Sequence, residues 1–154
     1  MDDSASAEQL RAAVQQLIRS MGLLHVRKTP CGQPLSVSQA HCLMFLRDQP
    51  VGARAPNQRR LAQYLGLDKS TVTRLLRQLR DRDLVRVEAS PQDGRARCVS
   101  LTERGHRIAG ATSATSLEFF RQILNQLEPD DRDGVVRAVQ GLTRAIHCLR
   151  DEEP

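Results

Sequence analysis

The chain has 154 residues, room for one ordinary domain with a real core, and it carries no apolar run of membrane-spanning length. Its net charge of +5 is uneven: residues 50–110 hold 13 Lys/Arg against 6 Asp/Glu, a net +7, and the remainder is −2. A basic middle points to a polyanion partner, and an aromatic content of only 3% argues against a stacking platform for single strands.

The polar N-terminus MDDSASAEQL has no signal-peptide core, so a cytoplasmic protein without a membrane role is expected. Cys31, Cys42, Cys98 and Cys148 are scattered, with no C-x-x-C pair; this disfavours zinc ribbons and disulfide frameworks and suits small buried hydrophobes.

In chain order, residues 8–28 read as an amphipathic helix, with Leu10, Val14, Leu17, Ile18, Met21 and Leu24 at three- and four-residue steps. TPCGQP (29–34) breaks it. Ser36 or Ser38 can cap a second helix reaching about Arg47, with Ala40, Leu43, Phe45 and Leu46 toward its apolar face. After the loop 48–56, Asn57 can cap a short helix, QRRLAQYLG, ending at Gly66. Asp68 or Ser70 starts the next helix, whose apolar stripe is Val72, Leu75, Leu76 and Leu79.

A short helix, a tight turn and a second helix with an exposed Ser/Thr/Arg face form a helix-turn-helix pattern. LVRVEAS (84–90) and RCVSL (97–101) alternate as strands around an Asp-Gly turn, which makes a wing. Thr102 can cap a long helix over about 103–127, weakened early by Gly105 and Gly110. Pro129 suits the first turn of a last helix carrying Val135, Val136, Val139, Leu142, Ile146 and Leu149. The first and last helices carry more apolar stripe than a small winged domain needs, which suggests an oligomer interface.

The wing reads D-x-R, five residues, L-T-x-x-G, met by Asp93, Arg95, Leu101, Thr102 and Gly105. With LDKSTVTRLLRQLRDRDLV and LSVSQAHCLMFL in their order, this chain resembles the MarR family of winged helix-turn-helix transcription regulators. The resemblance implies a mainly α fold with a β-hairpin wing, a DNA-binding domain over 36–102, and a helical dimerisation region formed by 1–35 and 103–154. It also implies a homodimer on palindromic double-stranded DNA, a repressor released by a small effector.

On that reading, Arg95 enters a narrow minor groove, Asp93 braces the wing and Arg97 touches phosphates. Lys69, Ser70 and Thr71 meet phosphate at the start of the recognition helix, while Thr73, Arg74 and Arg77 reach base edges, Arg74 foremost. Gln58, Arg59 and Arg60 contact the backbone. The plainer reading of Arg80 and Arg82 is solvated charge paired with Asp81 or Asp83.

For sensing, His25, Cys31, His41 and Cys42 lie on or between the first two helices, which line the effector pocket in this family. Three readings stand open: an oxidisable Cys31 or Cys42, with Cys31 and Cys148 close across a dimer; a metal held by a His/Cys set; or a small organic ligand. Peroxide-sensing relatives carry their cysteine within the first helix with tyrosines nearby, whereas Cys31 falls after it and the lone Tyr64 sits in the helix-turn-helix. His41 matches a ligand position of zinc-sensing relatives, but the helix after the wing offers only His106. A winged helix kept for protein contacts alone is the remaining alternative. No G-x-S-x-G, P-loop or H-E-x-x-H occurs, so neither an enzyme nor a resident cofactor is expected.

Overall fold

A computed structural model describes residues 3–24, 28–50, 54–89 and 97–151. Among the described residues, six α-helices and a two-stranded antiparallel sheet follow in order: α1 (Asp3–Ser20), α2 (Val37–Arg47), α3 (Gln58–Leu65), α4 (Lys69–Asp81), β1 (Val85–Ala89), β2 (Arg97–Leu101), α5 (Glu103–Asn125), a 3-10 turn (Pro129–Asp131) and α6 (Arg132–Asp151). The chain divides into two compact units, residues 1–116 and 117–154.

In the first unit, local chemistry sets most boundaries. Ser36, not Ser38, caps α2 in a capping box: its hydroxyl accepts from the Gln39 backbone amide at 3.2 Å, and the Gln39 side-chain Oε1 accepts from the Ser36 backbone amide at 3.1 Å. The first helix is shorter than its apolar periodicity suggests. It stops at Ser20 because Gly22 takes a left-handed φ of 66° and the Leu23 and Gly22 amides bond the carbonyls of Ile18 and Arg19. This is a Schellman ending, which the continuing apolar residues Leu23 and Leu24 conceal.

The core gathers Leu35, then Ala40, Cys42, Leu43 and Leu46 of α2, Leu61 of α3, and Val72, Leu75, Leu76 and Leu79 of α4. Leu84, Val85, Val99 and Ala109 complete it. Each leucine or valine among them contributes about 1.5–3 kcal/mol on burial. β1 and β2 pair antiparallel with Val85 opposite Leu101 and Val87 opposite Val99. Residues 56–57 line the other edge of β2, with the Val99 amide donating to the Pro56 carbonyl at 2.9 Å. This edge ties the start of α3 to the wing. α1 buries no residue at all.

The second unit holds the end of α5, the 3-10 turn begun by Pro129, and α6. Val135, Val136, Val139, Ile146 and Leu149 of α6 stay exposed. No described helix is long and apolar enough to cross a membrane.

Candidate nucleic-acid interface

α3 and α4 are joined by a turn that sequence and geometry both require. The Asn57 side chain caps α3 by accepting from the Arg60 amide at 2.9 Å. Gly66 closes the helix at φ 62°, with its amide bonding Gln63 and the Leu67 amide bonding Ala62. Asp68 then caps α4. The burial of Val72, Leu75, Leu76 and Leu79 fixes the rotation of α4. Ser70, Arg74 and Arg77 therefore share its outer face and are exposed, with Lys69 and Thr73 exposed on the flanks.

The cations on this face are not neutralised locally. Among the described residues the ion pairs are Arg47–Asp48, Arg107–Glu103 and Arg121–Glu118. None involves Arg59, Lys69, Arg74, Arg77 or Arg80. Arg80 and Arg82 do not pair with Asp81 or Asp83; Arg82 instead reaches the Pro34 carbonyl at 3.5 Å. Arg59 is exposed beside half-buried Gln58, and Arg60 lies 5.9 Å over the ring of Phe45, itself stacked on Tyr64.

The hydroxyls differ from the expectation that they serve phosphate. Ser70 Oγ donates to Asp68 Oδ1 at 2.6 Å, Thr71 Oγ1 donates to Asp68 Oδ2 at 2.7 Å, and Thr73 Oγ1 donates to the Lys69 carbonyl at 2.8 Å. All three protons are used inside the helix start. The Ser70 hydroxyl bond, then the bonds from the Thr71 hydroxyl and amide, hold the Asp68 carboxyl well below the usual carboxylate range.

At the wing, Arg97 is exposed on β2. Asp93 and Arg95 lie outside the described residues. The L-T-x-x-G end of the motif is architectural. Thr102 Oγ1 accepts from the Gly105 amide at 2.9 Å and donates to the Asp83 carbonyl at 2.7 Å, while the Thr102 amide bonds the Leu84 carbonyl at 3.2 Å. A Cβ at position 105 would stand 1.9 Å from the Leu84 carbonyl oxygen, so only glycine fits there. The glycine that weakens α5 by propensity is the one its packing demands.

A groove of ≈ 880 Å³ runs between the start of α2 and α4, lined by Ser36, Ser38, Gln39, Arg74, Gln78 and Arg82 among others. Gln39 Nε2 donates to Gln78 Oε1 at 3.1 Å. Sequence reasoning did not single out Gln39 or Gln78; the S-x-x-Q spacing of a capping box was the available signal.

The sequence model described as the MarR family matches residues 33–96, which span α2 through most of the wing. Over 152 residues the chain is 28% identical to an uncharacterized HTH-type transcriptional regulator of Mycobacterium leprae, covering 99% of this chain and 97% of that protein. Over residues 33–96 the chain is similar to the MarR family. Among solved structures, the DNA complex of MepR from S. aureus superposes with a TM-score of 0.64 at 23% identity, covering 72% of this chain and 80% of that one. PcaV of Streptomyces coelicolor, solved with its natural ligand, gives a TM-score of 0.64 at 23% identity, covering 95% and 94%. These likenesses show the winged-helix fold.

The cysteines and histidines of this chain occupy different environments. Cys42 is a core residue, fully buried, and burial pushes its thiol from 9.0 up to about 12. That suppresses the thiolate an oxidation sensor needs. His41, its neighbour on α2, is exposed. Cys31 is partly buried at the tip of a turn closed by Thr29 and Gln33, with its Sγ 3.1 Å from Thr29 Oγ1. Gln33 Nε2 anchors this turn to Thr115 of α5 at 3.1 Å. Cys148 is exposed on α6, and all four cysteines are free thiols. His25 lies outside the described residues. Among the described residues no group of three or more His, Cys, Asp or Glu could hold a metal ion.

Proposed function

We propose that this chain is a dimeric, sequence-specific DNA-binding repressor of transcription whose grip is released by an effector. One observation carries the reading: the outer face of α4 presents Arg74 and Arg77, with Lys69 beside them and Arg59 on α3, and none has an acidic partner among the described residues. Unpaired guanidinium groups on a helix-turn-helix suit phosphates and guanine edges. Arg74 and Arg77 read bases; Arg59 and Arg97 hold phosphates; Gln58, beside Arg59, adds a backbone contact; Arg95 enters the minor groove, braced by Asp93. The DNA-bound MepR structure supports this use of the fold.

A second copy of the chain covers the exposed apolar faces of α1 and α6, so a palindromic operator follows from the two-fold axis. Release comes from a small organic ligand, which the ligand-bound PcaV structure supports, or from oxidation of Cys31, alone or with Cys148 of the other protomer. The Cys31 sulfur lies 3.1 Å from the Thr29 hydroxyl, and either group can be the donor.

A band shift on the DNA upstream of the coding region, with and without peroxide and then dithiothreitol, tests both parts. A shifted band supports the DNA-binding reading, and its absence on that DNA and on a randomised duplex pool contradicts it. A band lost on oxidation, restored by reductant and insensitive in Cys31→Ser assigns sensing to the thiol. A band that ignores peroxide leaves the organic ligand.

A further inference from the structure

Asp68 has no place in the reading above, yet it decides what the start of α4 can offer a ligand. Its carboxylate takes three hydrogen bonds: Ser70 Oγ and the Thr71 amide donate to Oδ1 at 2.6 and 2.8 Å, and Thr71 Oγ1 donates to Oδ2 at 2.7 Å. An ionised carboxylate can only accept, so the direction of both hydroxyl bonds is fixed by chemistry. A hydroxyl has one proton and two lone pairs. Once the proton is given to Asp68, the outward side of Ser70 and Thr71 can only accept.

Thr73 reaches the same state by a separate route, since its proton goes to the Lys69 carbonyl. Ser70 and Thr73 are exposed and Thr71 partly so. Phosphate oxygens have no proton to give, and the exposed Asp68 carboxylate repels them. In the major groove the hydrogen-bond donors are the amino groups on adenine N6 and cytosine N4; guanine O6 and N7 and thymine O4 are acceptors.

We propose that Asp68 is a specificity-determining residue: by holding Ser70 and Thr71 as outward acceptors, it makes the first turn of α4 select adenine or cytosine amino groups over guanine and thymine. The inference rests on the DNA-reading role of α4 given above.

Two variants separate this from a capping or charge effect. Asp68→Asn keeps a good cap. Its carbonyl oxygen can still take the Thr71 amide and Ser70 hydroxyl, but its NH₂ replaces Oδ2 and must donate to Thr71 Oγ1. The Thr71 proton then turns outward and its preference reverses. Asp68→Gly frees both hydroxyl protons with little loss of helix capping.

The experiment selects duplexes from a randomised pool with the full-length parent and each variant. Affinities are then measured by anisotropy on every single-base change of the parent motif, with circular dichroism confirming the fold. The expected result is a position where the parent prefers adenine or cytosine and Asp68→Asn reverses that preference, a shift of about five-fold. Asp68→Gly shows little preference there, and the position under Thr73 is unchanged in both. Variants that enrich the parent motif, or whose affinities shift equally on every sequence, overturn the assignment and leave Asp68 a cap. A parent that enriches no duplex overturns the DNA-reading role and this inference with it.

Discussion

α4 and α6 are both amphipathic helices with arginines on their polar sides, yet one buries its stripe and the other does not. Leu79 of α4 is 0% exposed and Val72 1%, whereas Val139 and Leu149 of α6 are 54% and 67% exposed. Periodicity defines a face in both; it does not supply the surface that covers it. α4 finds its cover in α2, α3 and β1, and this cover is what fixes which residues it turns outward. α6 leaves its apolar face exposed, the face that the proposed second copy of the chain would cover.

The largest blow to the covered side is Gly105→Ala. A methyl group 1.9 Å from the Leu84 carbonyl oxygen forces α5 away from the base of the wing. We expect a loss of about 3 kcal/mol or more by denaturant unfolding; a near-parental midpoint would mean the approach is slack.

A matched pair sharpens the contrast. Leu79→Ala should cost about 3 kcal/mol at any protein concentration. Val139→Lys should leave the fold of each chain intact but move sedimentation toward the monomer on dilution. If Val139→Lys unfolds the chain outright, or leaves self-association untouched, the exposed face has another role.

Asp83→Gly tests the end of α4 from the opposite direction. Asp83 holds a left-handed φ of 56° so that the Leu84 amide can bond the Leu79 carbonyl. Glycine adopts this conformation without strain, so the variant should be about 1 kcal/mol more stable in thermal melts. A lower melting temperature would show that the Asp83 side chain contributes something the backbone does not.

The smallest effect is at Cys42. Its raised thiol adds stability that is fully present below its ordinary value of 9.0 and lost as pH rises toward about 12. At pH near 8 it should resist alkylation until the chain unfolds; prompt labelling of native protein would place it outside the core.

The contrast also explains what could be read in advance. The stripe of α4, the Asn57 cap, the Gly66 stop and the span of β2 were legible because each depends on neighbours within a few residues. The end of α1 was missed because Leu23 and Leu24 continue the apolar rhythm past Gly22, although a glycine after a helix is itself a stop signal. Gly105 was read as a motif position and a propensity cost, and the reason for it was hidden because its contact with Leu84 forms only when the wing closes. For the candidate interface, the arginines were evident from type and spacing. The use of the Ser70, Thr71 and Thr73 protons was not, because it depends on where Asp68 and the Lys69 carbonyl sit. Cys42 and His41 were grouped as candidate sensing residues in sequence, yet adjacent helix positions face different environments.

The most direct test of the central claim is the salt dependence of binding to a selected duplex, measured by anisotropy for the parent, Arg59→Ala and Arg74→Ala. Unpaired cations on α3 and α4 predict a steep fall in affinity with salt, a slope shallower by about one for Arg59→Ala, and a ten- to hundred-fold (about 1–3 kcal/mol) loss for Arg74→Ala on the selected sequence. A binding constant indifferent to salt and to both substitutions would contradict it.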